Sequence, residues 1–546
     1  MMKIIPLIFL LFIFTACQNQ SGEKSNSQQS ETKEIIKPKA IVEKTKMIEG
    51  GIGDASNLIP MIATDAASHS IAGLIFNGII KFDKNLNIVG DLAENWDISE
   101  DNLTITFHLR KGVKWQDGVE FTAHDVEFGY KLITDPNTPT PYGSDFMEIK
   151  EFKVIDDYNF SVTYKEPFAP ALASWGNLVV LPKHILEGQD ITKTPFARNP
   201  VGLGPYKFKE WKTGSSITLE ASETYFDGKP KIDVYHMRVI PDQATLFLEL
   251  KSKGIDQMGL TPTQYKRQTN SEFFEKNFNK FKYIGSVYTY LGYNHEREIF
   301  KDKRVRQAIT YAIDKNEIIE GVLLGLGQPA QGPYKPGTWF YNDKVKKYPY
   351  NPEKAKELLK EAGWSDTNGD GLLDKDGKDF TFTIITNQGN SLRAKTAEII
   401  QMRLKAIGIN VEIMIIEWAA FLKDFVDVGK FDAIILGWSV SGSDPDQYDI
   451  WHSSKTGPSQ FNFVHYINKE IDELLVKGRK IFDHEERRKY YDRFQEILAE
   501  EQPYTFLYVP ESLPIVHGRF KGIDPGPAGI AYNFDKWYVD RNFLTQ

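Results

Sequence analysis

The chain has 546 residues, of which 41% are hydrophobic and 26% charged, and it carries a formal net charge of -8 at pH 7. That length exceeds what one hydrophobic core usually serves, so two or three domains are expected. The balance of 74 acidic against 66 basic residues offers no basic field for gathering phosphates and speaks against nucleic acid as the main partner.

Met1, Met2 and Lys3 precede an apolar run over residues 4–14 and then small residues, the three-part layout of a secretory signal. The run is shorter than the roughly 20 apolar residues that span a bilayer. It leads into Thr15-Ala16-Cys17, and Cys17 is the single cysteine of the chain. No internal disulfide can form, so stability has to come from core burial. The setting of Cys17 resembles a lipoprotein cleavage site, with the cysteine becoming the lipidated first residue; the alternative is a plain signal peptide with a chance cysteine. Residues 18–40, rich in Ser, Gln, Lys and Glu, cannot bury enough surface to offset chain entropy and read as a disordered tether. From residue 41 onward the pattern is globular, without a short-period repeat or a second long apolar segment.

Strand signals lead the first half. Leu103, Ile105, Phe107 and Leu109 alternate with polar residues, and residues 152–164 read as two strands joined at Asp157-Tyr158-Asn159. Gly112 and Gly118 bracket a turn against which Trp115 can pack, and Gly204-Pro205 turns into a strand. Thr122 with Asp125 three places on opens a helix through a capping box. Further along, Val305, Ala308, Ile309, Ala312 and Ile313 mark one helical face. Asn351-Pro352 opens another helix, which Gly363 closes. From Asp379 the pattern alternates: a strand to residue 386, a helix over 391–407, a strand over 409–416, a helix over 418–428 and a strand over 431–438. Such alternation predicts a mainly parallel sheet covered by helices, with ligand in the crevice beyond the carboxyl ends of the strands, at loops 387–390 and 439–448.

Enzyme signatures fail one by one. Gly437-Trp438-Ser439-Val440-Ser441 resembles a nucleophile elbow, but Ser441 stands where that motif needs glycine. Residues 371–378 miss a phosphate loop by one residue, and Asp379 stands where Ser or Thr should bind magnesium. The ten histidines include no HExxH pair. Asp366, Asn368, Asp370, Gly371 and Asp374 follow calcium-loop spacing, although Gly377 occupies the place of the bidentate Glu. The competing reading is a plain turn ahead of a strand. No other cofactor is expected.

A set of segments carries more weight: LAENWDIS (92–99), LTITFHLRKGVKWQDG (103–118), FTAHDVEF (121–128), GLGPYKFKEW (202–211), RVRQAITYAIDK (304–315), NPEKAKELLKEAGW (351–364) and GWSVSGSDPDQY (437–448). In this order and spacing they resemble the peptide, nickel and oligosaccharide-binding proteins of ABC importers, solute-binding family 5. The resemblance implies an α/β, two-lobed periplasmic-binding-protein-like fold with an additional domain and a ligand cleft between the lobes. Lobe one would combine residues 41–85, 201–290 and 506–546, the additional domain 86–200, and the other lobe 291–505. It further implies a monomeric receptor, not an enzyme, that works outside the cytoplasm on a lipid anchor. The receptor would capture oligopeptides and deliver them to an ABC permease. Another solute, an oligosaccharide or a metal chelate, or a lipid-anchored sensory or chaperone-like role, are the alternatives.

The same resemblance implies ligand contacts from the backbone of Thr64, Asp65 and Ala66 and of Trp438, Ser439, Val440 and Ser441. From the residues alone, Trp438 reads equally as a core residue at a strand end and Asp65 as a solvated loop residue. Many peptide-binding relatives place an aspartate three residues after the loop tryptophan, where it meets the peptide's amino terminus; here that position is Ser441. Asp444 is the candidate replacement, and the alternative makes it the cap of a helix opening at Pro445.

The anchor is directly testable. The exported protein should partition with membranes and Cys17→Ser should release it to the soluble fraction; a Cys17→Ser protein that stays with the membranes would refute lipidation.

Overall fold

The computed structural model describes residues 44–439 and 444–540. Two seven-stranded sheets form its two lobes. The first runs in the order Phe278–Lys280, Pro514–His517, Gln257–Gly259, Lys46–Gly51, Val234–Val239, Ser216–Ala221, Tyr206–Lys212. In the second, Tyr283–Ile284, Tyr504–Ser512, Val287–Tyr293, Ala433–Ser439, Thr381–Asn387 and Asn410–Ile416 lie side by side, with Gly327–Pro329 also on Tyr504–Ser512. Only two passages of chain join the sheets at this point, from Lys280 to Tyr283 and from Ser512 to Pro514. They are neighbours, because Tyr283 pairs with Ser512 and Ile284 with Glu511.

The expectation of a mainly parallel second sheet is corrected. Thr381–Asn387 is parallel to both Asn410–Ile416 and Ala433–Ser439, but every other pairing in that sheet is antiparallel. The reason is connectivity. Parallel neighbours need a crossover, which helix Ser391–Lys405 and the helical segment from Trp418 provide. Val287–Tyr293 and Tyr504–Ser512 instead belong to the two passages that come from the first lobe in opposite directions. The helix expected over 418–428 is a short one, Trp418–Phe421, continued by a π turn over Leu422–Val426.

A four-stranded antiparallel sheet, Ala93–Ile98, Thr104–Leu109, Asn159–Tyr164 and Ile149–Asp156, builds the additional domain. Its apolar alternation works as the period of a strand dictates: Ile105, Phe107 and Leu109 are buried, and Phe107 pairs across strands with Phe160, the rings stacked at 5.0 Å over buried Trp175. Helix Ala123–Thr134 opens with Thr122 and Asp125 in a complete capping box. The turn ahead of it holds Gly112 and Gly118 at φ +72° and +98°, and Trp115 between them is fully buried.

Helix Ala66–Ile75 matters most for the cleft, since Asp65 caps its start. Its far end is held by backbone: the Gly204 amide donates to the Ile75 carbonyl at 2.7 Å. A Cβ placed on Gly202 would stand 1.9 Å from that same carbonyl oxygen, so no other residue fits without moving the helix end. Gly202→Ala should therefore lower unfolding free energy by about 2–3 kcal/mol in urea titration. Gly259→Ala, where an added Cβ meets nothing within 4 Å, should stay within about 1 kcal/mol of wild type; equal effects at the two sites would refute the packing account.

Candidate ligand-binding cleft

Asp65 is 3% exposed, not solvated. Its carboxylate accepts from the Ser68 amide at 2.9 Å, from Ser68 Oγ at 2.6 Å and from the Ser56 hydroxyl. The side chain is thus occupied in holding the helix start, while Thr64 is half-buried and Ala66 exposed. Just upstream, the Ala63 carbonyl accepts from the Tyr142 hydroxyl at 2.9 Å, and His69 Nε2 lies 2.9 Å from the same hydroxyl.

From Tyr142 an aromatic chain leads across to the other lobe. Tyr142 meets Phe461 edge-on at 5.3 Å, and Phe461 meets Trp438 edge-on at 5.2 Å. Trp438 is half-buried, with its indole N–H 3.4 Å from the Tyr504 hydroxyl and its ring against Phe463. The structure therefore brings the 64–66 stretch and the strand end at Trp438 and Ser439 to the same region of the cleft. Val440 and Ser441 lie outside the described residues. A second approach is made by the crevice loop 387–390: a Cβ on Gly389 would lie 2.7 Å from the Pro241 carbonyl and 3.5 Å from Ile52. On the same side, a Cβ on Gly53 would lie 3.6 Å from the Trp418 ring.

Sequence reasoning passed over Arg393. It sits in the first turn of helix Ser391–Lys405, where Nη1 donates to Asn387 Oδ1 at 2.8 Å, and a Cβ on Gly437 would meet its Nη2 at 3.2 Å. Among the described residues it has no carboxylate partner, and burial lowers its pKa. The available signal was an arginine at the start of a helix that follows a strand's carboxyl end.

Asp444 does not cap a helix, and its carboxylate is paired within the second lobe. Helix Tyr448–Trp451 begins three residues beyond Pro445 and is preceded by Gln447, so Asp444 caps nothing. Its carboxylate is gripped by Arg487 through two parallel bonds, 2.6 Å from Nη1 and 2.8 Å from Nη2, and accepts the Asp446 amide at 2.9 Å. Arg487 is 3% exposed, and a buried guanidinium stripped of its counter-charge would be strongly destabilising. Asp444 is thus paired with Arg487.

In the loop with calcium spacing the acidic side chains bond to the loop itself. Asp366 accepts the amides of Gly369 and Gly371 at 2.7 and 3.0 Å, and Asp370 accepts that of Leu372 at 2.8 Å. Asn368 accepts the Asp370 amide at 2.9 Å, while Asp374 accepts the Thr367 amide and hydroxyl at 2.7 and 2.6 Å. The oxygens are turned onto their own backbone ahead of a hairpin between Asp374–Lys375 and Lys378–Asp379. Among the described residues no group of three acidic, His or Cys side chains could hold a metal.

At the border between the additional domain and the second lobe lies an ionic clamp. Arg479 donates to Asp145 at 2.9 Å and to Asp446 at 2.9 and 2.5 Å, and stacks 4.0 Å over the Tyr448 ring. Beside it, Ser144 Oγ donates to Asp449 at 2.6 Å, and Lys455 pairs with Asp449 at 2.9 Å. Burial pushes Asp145 up to about 7; Arg479 opposes the rise, and the charges of Asp446 and Asp449 add to it.

Two lobes joined by paired strands, an added domain, and an aromatic cleft between them define a hinged solute receptor. The chain belongs to the bacterial extracellular solute-binding proteins of family 5, whose model matches residues 87–460. It is 38% identical, over 99% of its length and 98% of the relative's, to the oligopeptide-binding protein AppA of Bacillus subtilis. It is 30% identical to heme-binding protein A of Haemophilus influenzae, with 96% of each chain covered. The solved structure of Bacillus subtilis AppA in complex with a nonapeptide matches with a TM-score of 0.87 and 37% identity, over 91% of this chain and 99% of that one. NikZ from Campylobacter jejuni in complex with Ni(L-His) matches at 0.82 and 30%, over 91% and 99%.

The clamp makes a pH prediction. Folded Asp145 holds its proton more tightly than an ordinary carboxylate at 3.8, so its ionisation costs stability progressively as pH rises from 3.8 to about 7. Asp145→Asn removes that cost. The difference in melting temperature between variant and wild type should shift in the variant's favour across this interval and level off above it; a pH-independent difference would contradict the assignment.

Proposed function

We propose that the protein captures oligopeptides in the cleft between its lobes and presents the closed form to an ABC-type permease. The observation that supports this reading is the run of contacts from Ala63 through Tyr142 and Phe461 to Trp438, which links the neighbourhood of residues 64–66 to that of 438–439. Main-chain groups on two walls can hold an extended peptide without regard to its side chains. The likeness to a peptide-bound relative over nearly the whole of both chains supports the same reading. Arg393, which has no carboxylate partner among the described residues, offers its guanidinium to a ligand carboxylate.

The same proposal covers the finer features. Thr64, Asp65, Ala66, Trp438, Ser439, Val440 and Ser441 contribute chiefly backbone, and the protein works as a monomer that returns its peptides uncut. Cys17 carries a lipid that holds it at the outer side of a membrane. No helix among the described residues is long and apolar enough to cross a bilayer.

Protein purified under native conditions and then denatured should release peptides, identified by mass spectrometry. Trp438→Ala should lower calorimetric affinity for a released peptide by roughly tenfold or more. Release of a metal chelate, heme or a sugar in place of peptides would overturn the reading.

A further inference from the structure

One apolar core runs through two of the three parts of the molecule. Met47, Ile75 and Tyr206 of the first lobe pack in the same cluster as Phe107, Phe160 and Trp175 of the additional domain, whereas Trp451, Tyr466 and Leu475 of the second lobe belong to a separate one. The additional domain therefore moves with the first lobe, and a turn about the ladder at Tyr283 and Ser512 has to part it from the second. The seam between them is polar. Ser144 Oγ donates to Asp449 at 2.6 Å, Gln460 Nε2 to the Thr140 carbonyl at 3.1 Å and the Ala169 amide to the Arg479 carbonyl at 2.6 Å. Arg479 Nη2 donates to Asp145 at 2.9 Å, and Lys480 pairs with Glu166 at the exposed rim. A cavity of about 110 Å³, lined in part by Phe168, Tyr448 and Arg479, interrupts the seam, which is thus two apposed surfaces and not a continuous core.

The charged groups within the seam also have partners on their own side. Arg479 keeps Asp446 at 2.9 and 2.5 Å and Asp449 keeps Lys455 at 2.9 Å within the second lobe, and Asp145 keeps the Ser174 hydroxyl at 2.6 Å within the additional domain. Parting the seam leaves none of these three without a partner, so its cost is limited to the bonds that cross. None of those bonds involves residues 64–66 or 438–439. We propose that this seam is a closure latch: residues 140–169 of the additional domain hold residues 449–480 of the second lobe through the protein's own contacts, and so set the share of closed molecules before any solute arrives. A latch of this kind scales the affinity for every solute by the same factor, because the apparent dissociation constant is the intrinsic one divided by the closed fraction. It gives the additional domain a part in capture that needs no contact with the solute. The inference concerns closure and holds whichever solute the cleft takes.

The test uses the full chain with Cys17→Ser, which removes its single cysteine, and spin labels at Lys153→Cys in the additional domain and Lys489→Cys in the second lobe, both exposed. Label distances are measured by double electron–electron resonance in protein freed of solute by unfolding and refolding. Calorimetry gives dissociation constants for two synthetic peptides of unlike composition, copied from those that the native protein releases. Ser144→Ala combined with Gln460→Ala, with the melting temperature checked, should move the labels away from their closed separation and weaken both peptides alike, by roughly tenfold. Glu166→Ala, at the exposed rim, should act in the same direction and less, and it decides the matter if the double variant does not fold. Label distances and dissociation constants that both match those of the unsubstituted chain, or a loss confined to one peptide, overturn the latch. If no peptide is released or bound, the peptide reading falls and the distances alone decide the latch.

Discussion

The pairing of Tyr283 and Ile284 with Ser512 and Glu511 is the constraint on which the cleft depends. Both passages between the sheets run through this one ladder, so the lobes can rotate about it while each keeps its own core. The cores are divided accordingly: Leu246, Leu250 and Ile255 pack beneath the first sheet, and Val305, Ile309 and Leu359 beneath the second.

Charged groups fix the second lobe and its border with the additional domain. Arg479 and Arg487 are both nearly fully buried, and each is matched by carboxylates in the short stretch after residue 443. The stretch is thereby pinned by two guanidiniums from the region that ends in helix Lys469–Gly478 and continues into helix His484–Glu501. Arg479 also reaches Asp145 of the additional domain, so the same charge that shapes the loop ties that domain to the second lobe. Structure has taken the acids that a reader of the sequence would assign to a ligand.

Much of the fold was legible because it depends on local patterns. The capping box at Thr122, the opening of helix Pro352–Glu361 at Asn351, and the turn glycines around Trp115 all appear where spacing and residue type place them. The mixed character of the second sheet was not legible, since the antiparallel strands Val287–Tyr293 and Tyr504–Ser512 lie more than 200 residues apart and no local pattern reports their direction. The site was read less well than the fold. Trp438 could be placed at a strand's end, but the occupation of the Asp65 and Asp444 carboxylates depends in part on partners 9 and 43 residues away.

What the sequence determined by itself was the set of elements, their caps and turns, and the family, because these rest on residue types at fixed short spacings. Tertiary structure alone decided the charge pattern of the cleft. Asp444 was committed by Arg487, which folds back from a distant helix, and Asp366, Asn368, Asp370 and Asp374 were turned inward by their own amides. Electrostatic pairing is a property of distances in space, and those distances exist only once the lobes have folded and met.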